Sequence, residues 1–259
     1  MNPTFEFSRA VTRRPSAAIV DGLRANDIGT PDLNQMLKDH AHYVATLKET
    51  NAEVIELPAL DDFADATFVE DTALVLPQGA IMMRPGAASR MGEVALMQPT
   101  LQKYCKEVRH ITGSGHIEGG DILVTGREIL VGRSDRTDAL GVSELASIVS
   151  DWGYDVREVF TPEGVLHFKT DCSLLGENTI LTTKRLAASG CFEGYDLIYT
   201  AEGEEACANT IRFNQFVLMP AGFPKTASVL ADAGFLVREI NNSECAKLDG
   251  GMSCLSLRF

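Results

Sequence analysis

The chain has 259 residues, 45% of them hydrophobic, enough to bury a large core without disulfide or metal staples. A net charge of −13 argues against a polyphosphate partner, which needs clustered Lys and Arg, and so against nucleic acid. The N-terminal stretch lacks the pattern of a secretory leader, and no apolar run approaches the ~18 residues of a membrane span, so a cytoplasmic protein without membrane partners is expected.

In chain order, residues 34–50 place Met36, Leu37, His40, Val44 and Leu47 on one helical face, and the apolar run at 54–58 reads as a strand. The stretch FVEDTALVLPQGAIMMRPG, beginning at Phe68, reads as two strands about a Pro-Gln-Gly turn. The same grammar returns as a helix at 96–108, a strand at 109–113 and a strand pair opening on His116. A third copy has a helix at 142–153, a strand at 155–160 and a pair opening on Leu166. A fourth begins with the less helical 190–196, continues through 197–200 and opens its pair at Ala206. The last runs helix 226–234, strand 235–240 and a C-terminal segment, GGMSCLSLRF, whose alternating Met252, Cys254, Leu255 and Leu257 read as a strand tied into the core.

One anchor per copy gives Glu70, Glu118, His167, Cys207 and Cys254, about 48, 49, 40 and 47 residues apart. That is the period of a supersecondary repeat. Five copies without polar capping units suggest closure into a ring, an α/β fold of the five-bladed propeller type filling residues 1–259 as one domain. Equivalent strand ends then meet at the axis, bringing a glutamate, a histidine and a cysteine together where a packed core would prefer aliphatic side chains.

Those residue types suit nucleophilic catalysis. A thiol is mostly protonated near neutrality and needs a cation or base beside it. His167 can supply one, and Glu118 can orient its ring. The glycines after Glu118 permit close backbone approach. His110 and His116 read as surface or loop residues, and Cys172 as a buried thiol. Asp65, Glu70 and Asp71 crowd a short stretch in a way that suits a bound cation, although a turn with outward carboxylates explains them as well. Arg90 and Arg136 follow the second strand of successive units and could fork a carboxylate, though single loop arginines are commonly solvated. The six cysteines carry no paired or metal-ligand spacing, which fits a reducing compartment.

The segments FVED, RPGAASRMGE, HIEGGDIL, VLHFKT, MPAGFPKT and DGGMSCLSLRF, together and in order, resemble the dimethylarginine dimethylaminohydrolase family, within the guanidino-group-modifying (amidinotransferase) superfamily. The resemblance runs from Val20 to Phe259. It implies the five-bladed α/β propeller (pentein fold) with its active site at the axis, with Cys254 as nucleophile, His167 as general acid and base, and Glu118 as the carboxylate supporting His167. It further implies that Glu70 and Asp71 hold a guanidinium, that Phe68 lines the pocket, that Asp65 takes the α-amino group and that Arg90 and Arg136 take the α-carboxylate. Carbonyls of Leu23, on a lid near Gly22, and of Leu248 would complete the cage.

The implied reaction is hydrolysis of Nω,Nω-dimethyl-L-arginine or Nω-methyl-L-arginine to citrulline and dimethylamine or methylamine through a cysteine thiouronium adduct. It calls for no metal and no organic cofactor. Relatives acting on free arginine typically carry an aspartate two residues after the histidine, where this chain has Lys169; one terminal nitrogen is then left without a carboxylate, making room for methyl groups. A citrulline-hydrolysing relative and a catalytically silent methylarginine binder are the alternatives. The first would have less use for paired carboxylates, and the second would be expected to lack Cys254 or His167. A monomer and a homodimer both remain open.

Overall fold

A computed structural model describes residues 4–25 and 27–259. The first strand, β1 (Arg9–Arg13), leads into helix α1 (Leu33–Lys48) and returns parallel to β1 as β2 (Glu53–Leu57). Asp32 caps α1 by accepting the Gln35 N–H, and the helix stops at Asn51, whose positive φ of 64° suits a short polar side chain. Between these ends, Met36, His40, Tyr43, Val44 and Leu47 form its buried face.

The next three blades share one grammar: a 3-10 turn, an antiparallel strand pair, a helix and a third strand parallel to the second. They comprise β3 (Ala73–Leu76), β4 (Gly79–Met82), α2 (Met91–Tyr104) and β5 (Val108–His110); then β6 (Ile122–Val124), β7 (Ile129–Arg133), α3 (Ala139–Ser150) and β8 (Val156–Phe160); then β9 (Cys172–Leu174), β10 (Thr179–Thr182), α4 (Lys184–Ala187) and β11 (Asp196–Tyr199). A further blade has β12 (Ile211–Phe213), β13 (Phe216–Pro220), α5 (Pro224–Asp232) and β14 (Leu236–Ile240). After a one-turn helix α6 (Ser243–Ala246), the C-terminal β15 (Leu257–Arg258) pairs antiparallel with β1, opposing Val11 to Leu257. The blade begun at the N-terminus is therefore completed by the C-terminus. Neighbouring blades touch all the way round, through β15 with β3, an antiparallel bridge between Arg84 and Ile117, β6 with β9, β9 with β12, and hydrogen bonds from the Met252 and Ser253 N–H groups to Asn209.

This is the five-bladed α/β propeller that the repeat predicts, with local departures. β1 has no counterpart among the predicted strands. The fourth helix lies earlier than 190–196, in a stretch capped by Thr183; Gly190 and Gly194 turn the chain in the left-handed region just where the sequence suggested weak helix. The anchors precede the strands rather than lying in them. Turns at Val69–Thr72, Gly119–Asp121, Phe168–Thr170, Glu205–Ala208 and Ser253–Leu255 carry Glu70, Cys207 and Cys254 and start immediately after Glu118 and His167. The C-terminal segment is thus a turn holding Cys254 followed by a two-residue strand, not one continuous strand.

Candidate active site

The five turns ring the axis so closely that side chains must give way to backbone. A Cβ on Gly120 would lie 2.6 Å from His167 Nδ1 and 2.9 Å from Asp71 Oδ1. One on Gly250 would lie 2.5 Å from the Phe68 ring. Three of the turns are also stitched to the next. The Gly120 N–H donates to Asp71 Oδ1 at 2.8 Å, the Phe168 N–H to Asp121 Oδ1 at 2.8 Å, and the Ser253 N–H to Asn209 Oδ1 at 2.9 Å. Three of the five junctions therefore use one device: a short polar side chain at the end of one blade's turn accepts a backbone N–H from the following blade.

Cys254, His167, Asp65, Phe68, Asp71, Arg90, Arg136, Leu23 and Leu248 line one cleft of about 30 Å³, room for a water or two. Glu118 is fully buried behind it, and its Oε2 is 2.7 Å from His167 Nε2. Its Oε1 accepts the Gly86 N–H at 3.0 Å and approaches Arg136 Nη1 at 3.4 Å. Burial by itself would raise the Glu118 carboxyl, but the hydrogen bond and charge of His167, with Arg90 and Arg136, bring it down to about 2. Burial likewise opposes charge on His167, yet Asp71, Asp121 and Glu118 raise it to about 9. At neutral pH the pair is an imidazolium and a carboxylate. Cys254 runs the other way: burial, then Glu70 and Asp71, push its thiol up to about 11 against the Gly251 N–H and Lys169.

Ligand atoms of Asp71, Glu118 and His167 lie within 4.8 Å of one another, close enough to suggest a metal site. Their atoms are already paired, His167 with Glu118 and Asp71 with both Arg90 and the Gly120 N–H. The arrangement suits holding and moving a proton better than holding an ion.

Two predicted residues behave differently from expectation. Glu70 does not face the cleft: its Oε1 takes Lys169 at 2.5 Å and Arg258 at 2.6 Å, and its Oε2 accepts the Ser253 hydroxyl at 2.7 Å. These four residues line a separate cavity of about 110 Å³ on the other side of the Cys254 turn. The carboxylate holds that turn and pairs with two cations, so of the two carboxylates expected to grip a guanidinium only Asp71 lines the cleft. Arg90 is not a solvated loop cation but a 4% exposed residue that donates to Asp71, Glu93 and the Phe68 and Asp65 carbonyls. Arg136, at 20% side-chain exposure, keeps more of its donors free.

His116 pairs with Asp138 at the surface and Cys172 is buried in a blade, as expected of bystanders. Sequence reasoning passed over Asp121, Asn209 and Arg258. Asp121 and Asn209 sit close after the anchors Glu118 and Cys207, so aligning the five copies turn by turn rather than by single anchors would have exposed them.

Residues 58–163 match the arginine deiminase family model. A dimethylarginine dimethylaminohydrolase from Pseudomonas aeruginosa is 37% identical over 98% of this chain and 100% of its own. The chain belongs to the dimethylarginine dimethylaminohydrolase family. A Streptomyces coelicolor member of the family is 32% identical over 97% of this chain and 96% of its own. The Pseudomonas family member, solved as a cysteine-to-serine mutant complexed with citrulline, superposes with a TM-score of 0.96 at 36% identity, over 98% of this chain and 100% of its own. The N-terminal domain of a cyanobacterial arginine dihydrolase shares the fold at 20% identity, with a TM-score of 0.86 over 96% of each chain. Cys254, His167, Glu118 and Asp71 come to the axis from four different blades.

Proposed function

We propose that the protein hydrolyses Nω-methylated arginines, the dimethylated form included, to citrulline and the corresponding methylamine. The observation that carries this reading is the assembly of a buried thiol, an imidazolium held by a buried carboxylate, and an aspartate, Asp71, in one cleft of a chain that belongs to the dimethylarginine dimethylaminohydrolase family.

The protonation states order the steps. With Cys254 raised to about 11 and His167 to about 9, the resting site holds a neutral thiol and a charged imidazole, so His167 has no room for the thiol proton. A guanidinium seated on Asp71 places positive charge beside the sulfur, and the thiol releases its proton to solvent. The thiolate bonds to the central guanidinium carbon. His167, already protonated, gives its proton to the departing dimethylamine as that C–N bond breaks, leaving a covalent thiouronium. Neutral His167 then takes one proton from water, whose oxygen attacks the same carbon; as the C–S bond breaks the second water proton passes to the departing sulfur, and citrulline, a neutral Cys254 thiol and protonated His167 remain. Glu118 keeps the ring oriented through both transfers.

Arg136 is the cation best placed for the substrate's α-carboxylate, with Arg90 behind it fixing Asp71, and Asp65 with the Leu23 and Leu248 carbonyls serves the α-amino group. A cleft of about 30 Å³ is far below the few hundred Å³ of a substrate pocket, so the Leu23 segment, tied to the far wall by the Ala25 N–H to Asp249, draws back to admit substrate. Lys169, paired with Glu70, puts no carboxylate on the second terminal nitrogen. Free arginine is therefore expected to be a poor substrate.

The test is citrulline and dimethylamine release from Nω,Nω-dimethyl-L-arginine, with arginine and citrulline in parallel and Cys254→Ser as control. Turnover of the methylated substrate, lost by at least about 10³-fold in the variant, is expected. Ornithine and ammonia from citrulline, with methylarginine untouched, would overturn the substrate assignment.

A further inference from the structure

Two N–H groups point at the Cys254 sulfur: the backbone of Gly251 at 3.4 Å and the side-chain Nδ2 of Asn209 at 3.7 Å. Asn209 is 6% exposed, caps the turn that opens the β12–β14 blade, and has no assigned part in the reading above. It occupies the junction position that Asp71 and Asp121 occupy elsewhere in the ring, accepting the next turn's backbone N–H through Oδ1. The junctions that hold His167 use carboxylates. The junction that holds Cys254 uses an amide.

That difference has a chemical reason. A carboxylate only accepts, so beside the imidazole it favours the cation, and beside sulfur it would repel the thiolate. An amide of the same shape accepts the Ser253 N–H on one side and donates to sulfur on the other. A donor on sulfur gains strength when the thiol ionises, so it favours the reactive form. The glycine at 251 makes the contact possible, since a Cβ there would come within 2.5 Å of Asn209 Nδ2.

We propose that Asn209 is the nucleophile's side-chain donor, clamping the Cys254 turn through Oδ1 and stabilising the thiolate through Nδ2. Resting on the hydrolase reading, this brings the remaining, fifth blade into the chemistry. The charged and titratable groups facing the sulfur are otherwise Glu70, Asp71, Lys169, Arg258, Tyr43, Cys245 and, across the cleft, His167. Of these, Glu70 and Asp71 oppose ionisation of the thiol, which leaves the amide a distinct task.

The experiment compares wild type with Asn209→Asp and Asn209→Ala. The rate of Cys254 alkylation by iodoacetamide is followed by peptide mass spectrometry from about pH 7 to 11, alongside thermal unfolding and dimethylarginine kinetics. Asn209→Asp keeps the Oδ1 clamp used at the other junctions, loses the donor and adds a negative charge beside the sulfur, whereas Asn209→Ala removes the donor without adding charge. In Asn209→Asp, Cys254 is expected to alkylate at least about tenfold more slowly at pH 8, with the profile displaced to higher pH by about a unit or more, and kcat is expected to fall more than KM rises. Asn209→Ala is expected to slow alkylation in the same direction, so whichever variant retains the wild-type unfolding transition decides. An unchanged alkylation profile in a folded variant overturns the proposal, even if turnover falls, because a purely structural clamp would leave the thiol's ionisation where it was. Alkylation needs no methylarginine, so a wrong substrate assignment would leave this result intact.

Discussion

Glu118 and His167 show how far two side chains can be displaced from their ordinary ionisation when charged neighbours outweigh burial: Asp71, Asp121 and Glu118 for the imidazole, and His167, Arg90 and Arg136 for the carboxylate. The imidazolium holds its proton more tightly in the folded chain, so its contribution to stability is fully present below about pH 6.5 and lost as pH rises through about 9. Glu118, lowered to about 2, contributes above about pH 4.5 and loses that contribution as pH falls towards 2. Both contributions are present together between about pH 4.5 and 6.5. Glu118→Gln is therefore expected to lower the melting temperature by several degrees at pH 6 and by clearly less at pH 10, where wild-type His167 is neutral as well. Paired thermal denaturations at the two pH values check this. An equal gap at both would assign the effect to the bond Glu118 accepts from Gly86 rather than to the ion pair. The types and positions of Cys254, His167 and Glu118 were legible in the sequence because each occupies a repeat anchor. The direction in which Glu70 points was not, because adjacent residues on a tight turn diverge and only the packing of Lys169, Arg258 and Ser253 says which way.

At the scale of the element, the 3-10 turn is the working unit. The period-two pattern that identifies strands runs on through residues such as Val69 and Cys254, so a turn of three or four residues before a strand reads as its first part. These turns meet backbone to side chain, which gives Gly120 a steric rather than conformational job, as its φ is not in the left-handed region. Gly120→Ala would drive a methyl group into the His167 ring and Asp71. If His167 is the general acid proposed above, displacing it by even part of an ångström is costly, so a fall in kcat of about 10²-fold is expected, with a smaller effect on KM. Steady-state kinetics with dimethylarginine decides, and near-wild-type kcat would mean that the ring relaxes without cost.

The whole molecule closes through its ends. β15 is two residues long, yet Leu257 is buried between the first two blades and the Phe259 carbonyl accepts the N–H groups of Ser8 and Arg9. Arg258 reaches back to Glu70, and Tyr43 of α1 bonds the Met252 carbonyl and the Ser256 hydroxyl at 3.0 and 2.7 Å. The seam and the Cys254 turn are one construction. Removing residues 257–259 deletes a buried leucine and leaves Glu70 and Lys169 without Arg258, a loss of at least about 3 kcal/mol. Chemical denaturation of the truncated chain is expected to show that loss together with a collapse of activity. A truncated chain of undiminished stability would mean that the ring holds without its C-terminal strand.

Composition and the spacing of five anchors were sufficient to specify a repeating α/β unit, its closure into a ring, and the convergence of a thiol, an imidazole and a carboxylate, because hydrophobic periodicity and repeat length are local properties that survive without knowledge of contacts. Closure by β1 and β15, the burial of Arg90 with Asp71 and Glu93, the turning of Glu70 away from the cleft and the reach of Asn209 to the sulfur were decided only in three dimensions. Each depends on which residue distant in sequence fills the space opposite. A buried charge or amide takes the partner that packing delivers to it, and no local pattern records that choice.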